Sequence, residues 1–407
     1  MRYGCMGLIF KDDLQDELTW AAGYTPYGGA DFGEIVAVAR TVGDGDNEAF
    51  NRAWVEAGDR LVERARSALA VGKRGTARDA YLRASCHYAS SYRPLFGTPV
   101  NPLLLAAFRK QIAAFDQGLA LGDPPVAPLR IPFEHTTLPA YFLPAEGRAG
   151  QVRPLMILTN GYDATVTDMF FASAVAASQR GYHCLFFDGP GQGEMLYEHG
   201  VRMRPDWETV IAAVVDFALE IEHVDPKRIA IMGWSFGGYL APRGASGERR
   251  LAACVADPGL FGGADQFRRA FVKAGATPES VKDLEKLDDA IVERFEEMLK
   301  NDRHAYWTVV NRALWVHGVD SVREYITCMQ PYTLEGRVEA IGCPTLLTRA
   351  DADSLASTAQ EFYDRLRCPK TLMEFTTAEG AGMHVESFNR SLLNRRVYDW
   401  LDDTFAV

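Results

Sequence analysis

Apolar residues recur at helical spacing through the first third of the chain. After a short segment from Glu34 to Arg40 and a polar break at Gly43-Asp44-Gly45-Asp46, Phe50, Trp54, Leu61, Val62 and Ala65 mark one face of a helix over about residues 47–70. Lys73-Arg74-Gly75 reads as a turn and Thr76 as the cap of a further helix over residues 77–90, with another over 101–119. No alternating strand pattern interrupts these segments, so residues 1–122 are expected to form a helical domain or cap.

The pattern changes at Gly122-Asp123-Pro124-Pro125, where prolines end the helix and favour extended chain. Two short runs, 130–134 and 138–143, predict a hairpin. Continuous apolar runs at 154–159, 183–188, 228–233 and 251–257 then alternate with helical stretches at 169–180, at 207–222 and after Ser235. Buried parallel strands have this texture, and the alternation predicts a mostly parallel, doubly wound α/β sheet. Between about 258 and 338 it gives way to charged helical sequence carrying Phe267, Phe271, Tyr306, Trp307 and Trp315, expected as an insertion over one end of the sheet. Strands resume at 343–348 and 370–375, and a last helix is expected over 388–405.

Composition narrows the function classes. Of 407 residues, 47% are hydrophobic and 24% charged, which sets aside wholesale disorder. The formal charge is -11, with no basic cluster, so no nucleic-acid partner is expected. Seven scattered cysteines, at 5, 86, 184, 254, 328, 343 and 368, have no metal-ligand spacing. Free, mostly buried thiols in a cytoplasmic protein are the expectation, with no metal and no cofactor. The apolar N-terminal stretch is too short for a signal sequence and no run approaches a membrane span, so no membrane association is expected.

The chemical signal lies at Gly233-Trp234-Ser235-Phe236-Gly237. A G-x-S-x-G alone is weak, but this one follows an apolar strand and opens a helix, the setting of a nucleophile elbow. The serine there occupies a strained backbone conformation, and its neighbours two before and two after must be small to let strand and helix approach. Ser235 is therefore the candidate nucleophile. Its partners should follow in the order acid, then histidine. Of eight histidines, His384 alone follows the last predicted strand, in a glycine-rich loop. Asp353 and Asp351 both follow the strand at 343–348, and Asp257 ends the strand before it, so three acids compete. An oxyanion needs two fixed N–H donors. The Phe236 amide is one candidate. The other is the Tyr162 amide, in the Asn160-Gly161-Tyr162-Asp163 loop; Asp163 itself is expected in a turn cap or an ion pair. Asp188-Gly189-Pro190-Gly191-Gln192-Gly193 lacks the lysine of a phosphate-binding loop and reads as a structural turn.

These motifs, together with Arg78-Asp79-Ala80-Tyr81-Leu82-Arg83 and Thr136-Thr137-Leu138-Pro139-Ala140-Tyr141, give the chain its resemblance to α/β-hydrolases. The resembling group includes 2,6-dihydroxypseudooxynicotine hydrolase, fungal hydrolases that shorten yellowish-green polyketide pigments, and FrsA-like esterases. The resemblance implies an α/β-hydrolase catalytic domain over 123–407, with the insertion at about 258–338, and N-terminal helices that cover the site and assist a homodimer. It implies a triad of Ser235, His384 and Asp353. Members commonly carry His-Gly ahead of the acid, where this chain has Arg349-Ala350. It further implies cleavage of a carbon–carbon bond beside a ketone, or of an ester, in a medium-sized aromatic or polyketide-like small molecule. Acyl transfer or cyclisation on the same triad is the alternative, and a non-catalytic binding protein on this scaffold is another.

Overall fold

The computed structural model describes residues 9–406; Cys5 and most of the apolar N-terminal stretch lie outside them. Its centre is one eight-stranded sheet with the strand order β1-β2-β4-β3-β5-β6-β7-β8. The strands are β1 (Pro128–Phe133), β2 (Thr136–Leu143), β3 (Arg153–Thr159), β4 (His183–Phe187), β5 (Val224–Trp234), β6 (Ala253–Asp257), β7 (Thr345–Ala350) and β8 (Lys370–Phe375). The β1–β2 hairpin is antiparallel and joins β4 antiparallel, while every pairing from β4 across to β8 is parallel. β4 and β6 are buried at every position, as a sheet covered on both faces requires.

The chain runs from β3 to β4 on one side, then returns to lay β5 on the other side of β3, with Thr159 level with Gly233. This reversal opens a crevice at the carboxyl ends of β3 and β5, the place where open α/β sheets bind ligands.

Three long helices, Asn47–Ala70, Arg74–Ser91 and Pro102–Ala120, form the amino-terminal layer. Asp46 caps the first by accepting from Ala49 N at 2.9 Å, and Asn101 with Pro102 starts the third. Thr76 caps nothing. Gly72, at φ 76°, makes the turn, and the second helix starts at Arg74 with Lys73 O accepting from Ala77 N at 3.0 Å. The layer docks on the sheet through Phe115, edge-on to Tyr141 and Phe170, and through a buried ion pair, Arg93 Nη2 to Asp168 Oδ1 at 2.5 Å.

Residues 263–328 supply helical stretches: Gly263–Lys273, a 3-10 turn Leu284–Lys286, Asp289–Asn301, an irregular run from Arg303 to His317, and Val322–Cys328. The middle of the irregular run, Trp307–Ala313, is π-helical. No helix among the described residues is long and apolar enough to cross a membrane, and no disulfide joins the described cysteines.

Candidate active site

Ser235 stands between the end of β5 and the helix Gly237–Gly247, with φ 61°. A left-handed serine is strained, and the surroundings enforce it. Ser235 N donates to Asp257 O at 2.7 Å and Gly238 N to Ser235 O at 2.8 Å. A Cβ on Gly233 would overlap the Gly237 carbonyl, and one on Gly238 would overlap Pro258 O. Strand and helix meet so closely that only glycine fits at either position.

Ser235 Oγ lies 2.9 Å from His384 Nε2, and His384 Nδ1 lies 2.8 Å from Asp353 Oδ2. The Asp353 carboxylate is wholly buried, and its Oδ1 accepts from Leu355 N at 2.9 Å, which fixes its orientation. Burial depresses the His384 imidazolium, but the charge and hydrogen bond of Asp353, joined by Asp257 and Asp163, outweigh it and leave the pKa above the ordinary value.

Of the three candidate acids, Asp353 alone meets the imidazole. Asp351 turns to Thr377, accepting from its N–H at 2.9 Å and its hydroxyl at 2.7 Å. Those hydrogen bonds hold its carboxyl below the usual range. Asp257 is buried against Arg390 Nη1 at 3.0 Å and Thr348 Oγ1 at 2.8 Å. Arg390 also donates to Val385 O at 2.6 Å and to Ser173 Oγ at 2.9 Å. It thereby anchors the turn after His384, where Val385 and Glu386 are left-handed at φ 51° and 48°. Burial, then the neighbouring Asp257, push the Glu386 carboxyl well above the usual range. Sequence reasoning missed Arg390 and Glu386, because nothing local announces a left-handed valine–glutamate pair.

The loop after β3 closes on Ser235. A Cβ on Gly161 would stand 2.7 Å from Phe236 N and 3.0 Å from Ser235 Cβ. The Phe236 and Tyr162 N–H groups donate to no acceptor among the described residues. The Tyr162 ring stacks on Phe236 with centroids 4.5 Å apart and planes at 16°. Asp163 pairs with Arg312 Nη1 at 2.5 Å. The Asp188–Gly193 segment is a turn that braces this loop: Gln192 donates to Asn160 O at 2.7 Å, and Asn160 Nδ2 to Asp188 Oδ1 at 3.2 Å.

A cavity of about 420 Å³ opens over Ser235, His384, Phe236 and Tyr162. Aromatic side chains contribute to its walls, with Trp20 from the amino-terminal segment and Phe267, Phe295 and Trp307 from the insertion. Polar side chains also face it, among them Asp163, Gln266, Thr308 and Arg312 and the pair His304 Nε2–Glu17 Oε1, at 2.8 Å. Sequence reasoning placed residues 11–33 within the helical domain but gave them no element of their own; they form a short helix, Asp13–Glu17, and a 3-10 turn, Trp20–Tyr27, that deliver Glu17, Leu18 and Trp20 to this wall. Among the described residues no cluster of side chains is suited to a metal.

Residues 156–392 match the family model described as "Alpha/beta hydrolase family". The chain is 33% identical over 411 residues to "Hydrolase acrC" of Aspergillus aculeatus, covering 94% of each chain. It is 32% identical over 423 residues to "20-hydroxy-prefusarin hydrolase FUS2" of Gibberella moniliformis, covering 99% of each. Among solved structures, 2,6-dihydroxy-pseudo-oxynicotine hydrolase superposes with a TM-score of 0.72 at 18% identity, covering 94% of this chain and 95% of that one. That likeness is one of fold, and it extends through the amino-terminal helices. With a family match over more than half its length and full-length relatives of this kind, the chain belongs to the alpha/beta hydrolase family.

Proposed function

We propose that the protein is a serine hydrolase that cleaves an ester, or a carbon–carbon bond beside a ketone, in a medium-sized aromatic or polyketide-like molecule. The observation that carries this reading is the relay Ser235 Oγ–His384 Nε2–Asp353 Oδ2, at 2.9 and 2.8 Å, on the floor of an aromatic cavity. In this scheme Ser235 Oγ attacks the substrate carbonyl carbon while His384 Nε2 takes its proton. The carbonyl oxygen becomes an oxyanion held by the Phe236 and Tyr162 amides. Collapse breaks the bond to the leaving group, which receives the proton from His384, and leaves an acyl ester on Ser235. For carbon–carbon cleavage the departing electron pair must be carried as an enolate before protonation at carbon. Water, deprotonated by His384, then releases the acid.

The cavity supports the substrate class. Its volume suits a small molecule and its aromatic walls suit flat, unsaturated groups. The ketone alternative and the polyketide character come from the resemblance and from relatives such as the prefusarin hydrolase. The test is mass spectrometry of products from a panel of aryl esters and aryl β-diketones, comparing wild type with Ser235→Ala. Diketone cleavage that the substitution abolishes is the expected result. Turnover of esters alone makes the protein a carboxylesterase, and products carrying an alcohol or amine in place of water make it an acyltransferase. Turnover that survives in Ser235→Ala overturns the reading.

A further inference from the structure

The irregular helix Arg303–His317 belongs to the insertion, yet it touches two consecutive residues of the loop that carries the Tyr162 amide. His317 Nε2 lies 2.8 Å from the Tyr162 hydroxyl, and Arg312 Nη1 lies 2.5 Å from Asp163 Oδ2. The Arg312 guanidinium also sits between rings, 5.2 Å from the centre of Tyr162 and 5.3 Å from that of Trp307. Tyr162 is thus gripped on both sides, stacked on Phe236 beneath and bonded to the insertion above.

We infer that Arg312 and His317 are positioning residues that set the register of the Asn160–Asp163 loop, and with it the second oxyanion donor. The inference rests on the serine-hydrolase reading proposed above. The physical case is one of stiffness. A glycine precedes Tyr162, so the loop backbone has little intrinsic rigidity, while a donor displaced by a fraction of an ångström loses most of its worth to a developing oxyanion.

The helix itself is well fixed. Arg202 Nη1 donates to Trp315 O at 2.6 Å and Met203 N to Val316 O at 3.0 Å, which ties its carboxyl end to the catalytic body. At the other end Arg303 pairs with Asp12, His304 with Glu17, and Trp307 Nε1 donates to Arg93 O at 3.2 Å. The amino-terminal segment that walls the cavity is thereby connected through one helix to the oxyanion loop. The His317 ring stays neutral, because burial and then Arg312 push its pKa down to about 3, so this contact does not titrate near neutrality. The π-helical turn Trp307–Ala313 lies within this run, and such turns occur often at functional sites.

The test is a double-mutant cycle on Tyr162→Phe and His317→Phe. It reads the rate of Ser235 phosphonylation by a fluorophosphonate, and kcat and KM for p-nitrophenyl acetate, a substrate too small to fill the cavity. Each single substitution should lower the phosphonylation rate and kcat about tenfold with KM nearly unchanged, because the oxyanion forms only in the transition state. The double variant should be no slower than either single one. His317→Gln, which keeps a hydrogen-bonding group at the same reach, should recover most of the rate. Arg312→Met should lower kcat in the same way. Rates equal to wild type, losses that multiply in the double variant, or a change in KM alone would overturn the inference. These outcomes are separable from failure of the hydrolase reading, in which wild type itself would take no label at Ser235 and the positioning role would fall with it.

Discussion

At the scale of single residues, the triad geometry makes quantitative demands. Ser235→Ala should lower kcat by at least about four orders of magnitude, since the nucleophile and base act as one unit. Asp353→Asn should keep the fold but cost about 10⁴-fold in kcat, because the amide presents the wrong partner to His384 Nδ1. Asp351→Asn should change activity little, since that carboxylate faces Thr377; steady-state kinetics on a common ester separates the three. The pH dependence follows from His384. It acts as a base only when neutral, and its pKa lies above the ordinary 6.5, so kcat/KM should rise with pH through a midpoint above that value. Asp353→Asn removes the main raising partner and should move the midpoint down. Stability runs the opposite way: the folded state favours protonated His384, so its contribution is complete below about 6.5 and is lost as pH rises through the folded value. The proximity of Ser235 and His384 was foreseeable from the sequence, the serine from a motif whose spacing has a steric cause and the histidine from its place after the last strand. Which aspartate meets the imidazole was pointed to by the resemblance and left open by the residues themselves, since Asp351 and Asp353 differ only in which way the turn after β7 points each carboxylate. That direction is set by tertiary partners, Thr377 for one and Leu355 N with His384 for the other.

At the scale of elements, strand and helix pack at the Ser235 turn with no room for a side chain on Gly233. Gly233→Ala should destabilise the protein by about 1–3 kcal/mol and lower activity in the surviving folded fraction, because the added methyl collides with backbone that cannot withdraw. Chemical denaturation monitored by tryptophan fluorescence checks the first part, and active-site titration the second. Strand positions were readable from short apolar runs, since β4 and β6 are buried along their whole length. Their ends were less so. β5 starts at Val224, four residues before the apolar run at 228, because backbone pairing with β3 extends past the buried stretch. Thr76 misled for a related reason: a threonine can cap a helix, but a left-handed Gly72 four residues earlier had already made the turn. The short elements over residues 13–27 carry no periodic pattern, being held by contacts such as Asp16 Oδ1 accepting from Phe10 N at 2.8 Å.

At the scale of the whole molecule, the amino-terminal layer, the sheet and the insertion close one cavity between them. The Arg93–Asp168 pair is buried at the first of these junctions, with the guanidinium 4.0 Å above the Trp20 ring. Removing one partner leaves an uncompensated charge in a dry interface, so Arg93→Ala should cost about 3–5 kcal/mol. It should also loosen Trp20 against the cavity; urea unfolding and hydrogen exchange over residues 13–27 read the two effects. The sheet order and the reversal at β3 and β5 explain why the loops bearing Tyr162, Ser235, Asp353 and His384 meet, since all four follow the carboxyl ends of parallel strands. The alternation of runs along the chain foretold the mostly parallel sheet, while the way the insertion folds back onto the Tyr162 loop depends on side-chain contacts that no periodicity encodes.

The most direct test of the central claim is intact-protein mass spectrometry after treatment with a fluorophosphonate, followed by peptide mapping, on wild type and Ser235→Ala. The account predicts a single phosphonyl adduct on wild type, confined to the peptide that contains Ser235, and none on the variant. No adduct on folded wild type, or an adduct that persists in Ser235→Ala, would contradict it.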